Sequence, residues 1–419
     1  AVTASRRRML GGTSAHWGGW CRPLHDTDFT TPSGWSIPDW PLGPDDLAPY
    51  MAAAHQWCEI KSDNYDMAAI RSRHPKRFLA LPDNSGIDEN VFRFSSPTRF
   101  GARYESDLEA QKNLTCVIRA NVFGFEKRGD TLTSVSAKAL NQPAFKVRAN
   151  RVVLAQGGLE TTRTLLNLRG DASDDGEGLR SPHLGRHFTD HYGLRPGLLI
   201  APANLGYMRF GDQGIPIMPV LTPSAERLRS GQSQNLCVML DPQADAESLP
   251  DNYAGQPALG FHSQEYWNYR AQLILEPRPE PDSRITLSET RCALGLRHAH
   301  LNWVINPNDI QLALEFFDHL GSTLASTGQG RSRTTYEDTS ALRARINGAN
   351  HHMGTARFSK DPKDGVTDAD GRVHDMSNLY VASSALFPRV GYANPTLTIV
   401  ALAVRLASRW ADEGKESPP

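Results

Sequence analysis

The sequence predicts an α/β fold with a second unit, built on an antiparallel sheet, inserted into the first. Three observations carry this. Residues 152–168, VVLAQGGLETTRTLLNL, read as an apolar strand, a glycine turn and a helix. From roughly 185 to 345, separate strand-like runs follow one another with few helices between them. The tail then returns to strand followed by helix, in NLYVASSALFP and NPTLTIVALAVRLASRWADE.

Taken in order, the chain opens on a loop, GGTSAHWGGW at 11–20, whose glycines permit backbone conformations and close approaches that a Cβ would forbid. Residues 30–50 hold five prolines and two tryptophans and read as an ordered irregular excursion. Asp45 or Asp46 is positioned to cap the helix that runs on through LAPYMAAAHQWC. DLEAQKNLTCVIRANV, 107–122, reads as a short helix and then a β-branched strand. TLTSVSAKAL and AFKVRANRVVLAQGG follow as strands, and the all-apolar VVLA has the character of a buried parallel strand. A strand, a glycine turn and a helix at 152–168 form half of a dinucleotide-binding unit, although the glycine pattern is GG rather than GxGxxG. QNLCVMLDP, AQLILEP, SRITLSE and AHLNWVI are the strand-like runs of the inserted region, and DIQLALEFFDHLGSTLAS is its helix. In the last helix Asn394 takes the N-cap and Pro395 the first helical position, where its missing N–H costs nothing.

Composition narrows the function classes. The 419 residues carry 45 basic and 46 acidic side chains, a net charge of -1, which argues against nucleic acid or an anionic membrane as the main partner. Mean hydropathy is -0.46, and TIVALAV at 398–404 is far too short to span a bilayer. Arg6-Arg7-Arg8 is followed by Gly-Gly-Thr-Ser after Met-Leu, with no apolar run, so it is not read as an export signal. The five cysteines are scattered without a CxxC pair, which fits neither a disulfide framework nor a zinc site and points to a reduced, cytoplasmic setting.

Two segments could do chemistry. The start of the last helix offers unpaired N–H groups and partial positive charge, beside a loop of small residues, VASSALFPRVGYA. In GANHHMGTARF, 348–358, adjacent histidines on an extended chain face opposite ways, so His351 and His352 cannot both address one site. One imidazole of near-neutral pKa can act as a general base toward an alcohol. No HExxH, GxSxG or GxxxxGK[ST] occurs, and no metal site is expected.

Together these segments resemble the glucose–methanol–choline (GMC) family of FAD-dependent oxidoreductases. The segments that carry the resemblance are LGGTSAHWGG, DLEAQKNLTCVIRANV, VVLAQGGLETTRTLL, LGRHFTDHY, HHMGTARF and NLYVASSALFPRVGYANPTLTIVALAVRLA, in the family's order. The resemblance implies a GMC-type, Rossmann-like FAD-binding domain formed by 1–29, 100–184 and 346–419. A substrate-binding domain and cap would be formed by 30–99 and 185–345. It implies that His351 is the catalytic base and that Asn394 holds the substrate oxygen. Gly11, Gly12, Ser14 and Trp17 would line the flavin ring, which the helix starting at Pro395 and Thr396 would also face. Val122 would meet the adenine through its backbone, with Ala155 and Gly157 near the pyrophosphate or ribose. Ser383 and Ser384 stand where many members carry other pairs. His16 matches the position at which some members, pyranose oxidases among them, bind FAD covalently.

The resemblance further implies oxidation of a CH–OH group, by proton abstraction and hydride transfer to flavin N5. The tryptophans at 17, 20, 35 and 40 either offer stacking faces for a sugar, polyol or glycoside substrate, toward which the pyranose-oxidase-like loop also leans, or pack around the proline-rich loop. The family's opening strand–GxGxxG–helix is missing from this sequence, and a longer parent protein is the favoured reading. The alternatives are a GMC-shaped binding or scaffold subunit without FAD, or one chain of a split flavoenzyme. Oxygen, a quinone and a protein all stay open as electron acceptor.

Overall fold

A computed structural model describes residues 5–169, 179–243 and 266–416. Its largest element is an eight-stranded antiparallel sheet. The path runs Trp20–Cys21, Ile87–Phe94, Ile215–Pro223, Leu236–Gln243, Trp267–Leu275, Tyr192–Ala201 and Arg331–Thr334, with Phe210–Asp212 pairing onto Ile215–Pro223. Along Trp267–Leu275 the buried residues are Tyr269, Ala271, Leu273 and Leu275, an alternation that turns one side of the strand into the core. The helix Pro307–Ser326 packs on that core through Ile310, Ala313, Phe316, Phe317, Leu320 and Leu324.

The smaller unit is α/β. Val152–Leu154 pairs in parallel with Leu379–Val381, so segments more than two hundred residues apart become neighbours. The helix Gly157–Arg169 follows the first of these strands, and the helix Thr396–Glu416 closes the chain. A three-stranded antiparallel sheet, Asn121–Arg128, Thr131–Lys138 and Phe145–Val147, completes the unit. Parallel strands are ordinarily covered on both faces. Here Leu154 is buried, but Val153 is 38% exposed, and Val117, Ile118, Phe145 and Val147 are exposed as well.

Several boundaries differ from the sequence reading. The helix expected from 107 instead spans Phe100–Glu109, and TCVI is not a strand; extended pairing begins only at Asn121. Leu114, Val117 and Ile118 are exposed, without the packing among the described residues that usually makes a β-branched run pair. The first long helix, Pro44–Trp57, has Gly43 at its N-cap, and Asp46 reaches back from the third position to accept the Gly43 N–H at 2.7 Å. SRITLSE and AHLNWVI form a hairpin of their own, Arg284–Arg291 with Arg297–Asn302, outside the large sheet. That hairpin lies against the helix Gly157–Arg169, where Ile285 packs with Leu159 and Phe188.

Candidate active site

The two units meet where HHMGT passes the last helix. Met353 and Thr189 exchange backbone hydrogen bonds, N to O at 2.9 and 3.1 Å, which pins the histidine segment beside FTDHY. Asp190 then accepts the backbone N–H of His351 at 2.7 Å and that of Asn350 at 3.1 Å. Asn350 has a φ of 66°, a left-handed conformation that asparagine tolerates and β-branched residues do not. Burial pushes the Asp190 carboxyl up to about 6, against the lowering effect of those N–H donors.

The adjacent histidines diverge, as consecutive side chains on extended backbone must. The His352 ring lies toward Phe188, with centroids 6.0 Å apart. His351 turns the other way, and its Nε2 lies 3.2 Å from Nδ2 of Asn394. Its Nδ1 lies 2.8 Å from Nδ1 of His191. Desolvation, with the neighbouring His191 and His352 rings, holds the His351 pKa well below the usual imidazole range, so the ring is neutral. A neutral imidazole with one bare nitrogen is a proton acceptor. Both His351 and Asn394 remain partly exposed.

Asn394 directs its amide nitrogen to His351 and stands one residue ahead of the cap, the N-cap place falling to Pro395 and not, as the sequence suggested, to Asn394. The helix itself begins at Thr396, with the carbonyl of Pro395 accepting from Ile399 N at 2.9 Å. Leu397 and Ala401 on its first turns are fully buried in a cluster with Cys21, Ala54 and Cys58, against which Trp17 and Phe100 pack. The opening loop is therefore fastened to the helix tip. Trp17 also donates its indole N–H to the Thr98 carbonyl at 2.5 Å, and Ser14 donates to the Gly11 carbonyl at 2.5 Å.

The remaining candidate residues divide into open and filled positions. A Cβ on Gly11 would sit 2.3 Å from the backbone nitrogen of Gly101, so that glycine accommodates the chain itself. Gly157, at φ 73°, has no atom within 4 Å of its would-be Cβ, and Gly12 has only the Arg7 carbonyl at 3.9 Å. Ala155 and Gly157 are exposed, and His16 is exposed at the end of the Gly12–Ala15 turn. Val122 lies on an edge strand, paired on one side only, with Ala137 across from it. Ser383 and Ser384 are buried: the first caps Ala385 N, and the second donates to the His352 carbonyl at 2.7 Å. Gly12, Gly157 and the open edge of Val122 leave backbone accessible, as an extended nucleotide cofactor requires. On these observations the residues present fit FAD.

Sequence reasoning missed the groups behind the histidine. Gly391 offers its carbonyl to His191 Nε2 at 2.8 Å. Its N–H, with that of Val390, is held by the fully buried Glu276 at 3.0 and 2.9 Å. Glu276 is paired with Arg389, which also donates to the carbonyls of Thr27 and Thr30 at 2.7 and 2.5 Å. The available signal was a carboxylate ending the apolar strand AQLILE, and an Asp-His pair directly before a buried strand. A cavity of about 420 Å³ lies beyond this ion pair, lined by Thr30, Thr31, Trp35, Arg278 and Arg389, and borders neither His351 nor Asn394.

A histidine–amide pair thus stands at a helix tip, between an α/β unit and an antiparallel sheet. Residues 279–403 match the family model described as GMC oxidoreductase. Among curated proteins it is 26% identical over 298 residues to paromamine 6'-oxidase of Streptomyces fradiae, covering 69% of this chain and 50% of that protein. It is 24% identical over 300 residues to the fructose dehydrogenase large subunit of Gluconobacter japonicus, covering 68% and 51%. The chain thus spans about half the length of these relatives. Pyridoxine 4-oxidase from Mesorbium loti shares the fold, with a TM-score of 0.60 at 21% identity, over 97% of this chain and 84% of that one. A fungal aryl-alcohol oxidase does so with a TM-score of 0.66 at 15% identity, over 98% and 87%.

Proposed function

We propose that the chain carries the catalytic part of an FAD-dependent enzyme that oxidises an alcohol group on a sugar, polyol or glycoside. The observation that carries this reading is the 3.2 Å contact between His351 Nε2 and Asn394 Nδ2 at the start of the last helix. A hydroxyl that approaches both from the side, in place of their mutual contact, would accept from the amide of Asn394 and donate to His351 Nε2. Asn394 then orients the oxygen, and His351 takes its proton as the C–H bond breaks. FAD, when bound, supplies the acceptor for the two electrons. Gly11, Gly12, Ser14, Trp17, Val122, Ala155, Gly157, Ser383, Ser384, Pro395 and Thr396 belong to the proposed FAD side, with His16 as the candidate point of attachment. The separation into an FAD-binding domain and a substrate-binding domain is part of the same proposal.

The names of the two curated relatives, paromamine 6'-oxidase and fructose dehydrogenase large subunit, support a carbohydrate substrate. A cytoplasmic location is supported by cysteines that are all unpaired. No helix among the described residues is long and apolar enough to cross a membrane. The test is a visible spectrum of the purified protein, then anaerobic mixing with sugars and alcohols. A flavin spectrum bleached by a carbohydrate supports the proposal. A colourless protein that stays colourless when FAD is added would point to the binding or scaffold role instead.

A further inference from the structure

His191 sits behind His351 and has no part in the reaction as written above. It is fully buried, at 0% exposure, at the end of FTDHY. Its Nε2 lies 2.8 Å from the Gly391 carbonyl, and a carbonyl can only accept. The proton of a neutral His191 is therefore on Nε2, and its Nδ1 carries the lone pair. That lone pair faces Nδ1 of His351 at 2.8 Å, so the His351 nitrogen must be the donor. With its proton on Nδ1, a neutral His351 has a bare Nε2, the nitrogen that meets the amide N–H of Asn394. Three contacts thus run in one consistent direction, from the Asn394 amide through both rings to a backbone carbonyl. The rings are set edge to face, with an interplanar angle of 87° and centroids 5.0 Å apart, which aims one nitrogen at the other.

We propose that His191 is a positioning residue that fixes His351 in the tautomer whose Nε2 is free to receive the substrate proton. This rests on the reading of His351 as the base. When His351 takes the proton at Nε2, its Nδ1–H remains donated to His191 Nδ1, and the imidazolium is formed against a lone pair rather than a second N–H. Burial keeps His191 neutral, its pKa pushed down to about 4, so the lone pair survives across the neutral range. The Gly391 carbonyl that orients His191 is held in turn by Glu276 through the N–H groups of Val390 and Gly391. The sheet of the inserted unit therefore sets the tautomer of a histidine in the other unit.

The test is ¹⁵N NMR of ring-labelled histidine in the full chain, which reads the tautomer without any substrate or turnover. In the wild type, His351 is expected to carry its proton on Nδ1 and none on Nε2. His191→Leu removes the acceptor, and the expected result is loss of that single tautomer. In FAD-loaded protein the same substitution should slow flavin reduction by about 10²–10⁴-fold with little change in substrate affinity. His191→Asn places an amide oxygen near the lost Nδ1 and should restore both the tautomer and most of the rate. A wild-type His351 bare at Nδ1, or an unchanged tautomer in His191→Leu, overturns the proposal. If His191→Leu fails to fold, the wild-type spectrum and His191→Asn still decide it. Should His351→Ala keep a full reduction rate, the base assignment fails, while the ¹⁵N spectrum still reports on His191 alone.

Discussion

At the residue scale, the site depends on a few positions with no tolerance for a larger side chain. Gly391 has φ 58°, and a Cβ there would lie 2.4 Å from Oδ2 of Asp28. Gly391→Ala combines left-handed strain with a collision against a buried carboxylate, and should cost about 2–4 kcal/mol in denaturant unfolding. Glu276 presents a different dependence. Its removal leaves the buried Arg389 without its hydrogen-bonded ion-pair partner, so Glu276→Ala should cost about 3–5 kcal/mol by the same measurement. A Glu276→Ala chain of unchanged stability would show that the ion pair contributes nothing net. His351 and Asn394 were legible as candidates because HHMGT and the Asn-Pro helix start are short, continuous signals. Asp190, His191 and Glu276 were not, because each acts on residues more than a hundred positions away in the chain. No local pattern records such a contact.

At the scale of elements, the last helix does two jobs with one turn. Its first residues present Asn394 to the histidine, while Leu397 and Ala401 bury themselves against Cys21, Ala54 and Cys58, and so hold Trp17 of the opening loop. Leu397→Ala is expected to destabilise the chain by about 2–5 kcal/mol and to loosen the opening loop first. Hydrogen exchange checks this: amides of residues 11–20 should lose protection before those of the large sheet. Simultaneous loss throughout would place the helix in the global core rather than in local support of the loop. Strong periodicity made this helix, the helix 307–326 and several strands of the sheet readable. The mis-set helix at 100–109 and the absent strand at 115–118 have a common cause. Propensity without a surface to pack against does not fix an element.

Over the whole molecule, buried histidines set the response to acid. Burial pushes His187 down to about 3 and both His191 and His352 down to about 4, and it holds His351 well below the usual range. Unfolded imidazoles titrate near 6.5, so between about pH 6.5 and 4 the unfolded chain binds protons that the folded chain refuses. Depressed histidine pKa values thus give stability that is present above 6.5 and lost as pH falls. Asp190, raised to about 6, and Asp309, raised to about 7, act in the opposite sense, since their folded forms take up protons first. Burial raises Asp28 as well and lowers His183 and His374, so six imidazoles stand against three carboxyls, and the unfolding free energy should fall from pH 7 to pH 5. Unfolding in urea at the two values checks it, and a free energy that is level or higher at pH 5 would contradict it. The two-unit architecture could be read from the sequence because the strand-rich stretch is long and interrupts an α/β pattern. The recruitment of Trp20–Cys21 and Ile87–Phe94 into the large sheet could not, since sheet order is decided by packing between distant segments.

In the proposed reaction His351, held between His191 and Asn394, takes the proton from an alcohol beside bound FAD. Anaerobic stopped-flow reduction of the FAD-loaded protein by a carbohydrate it accepts, in wild type and His351→Ala, tests it most directly. The substitution should slow flavin bleaching by about a hundredfold or more and leave the flavin spectrum before mixing unchanged. Bleaching of both proteins at the same rate would contradict it.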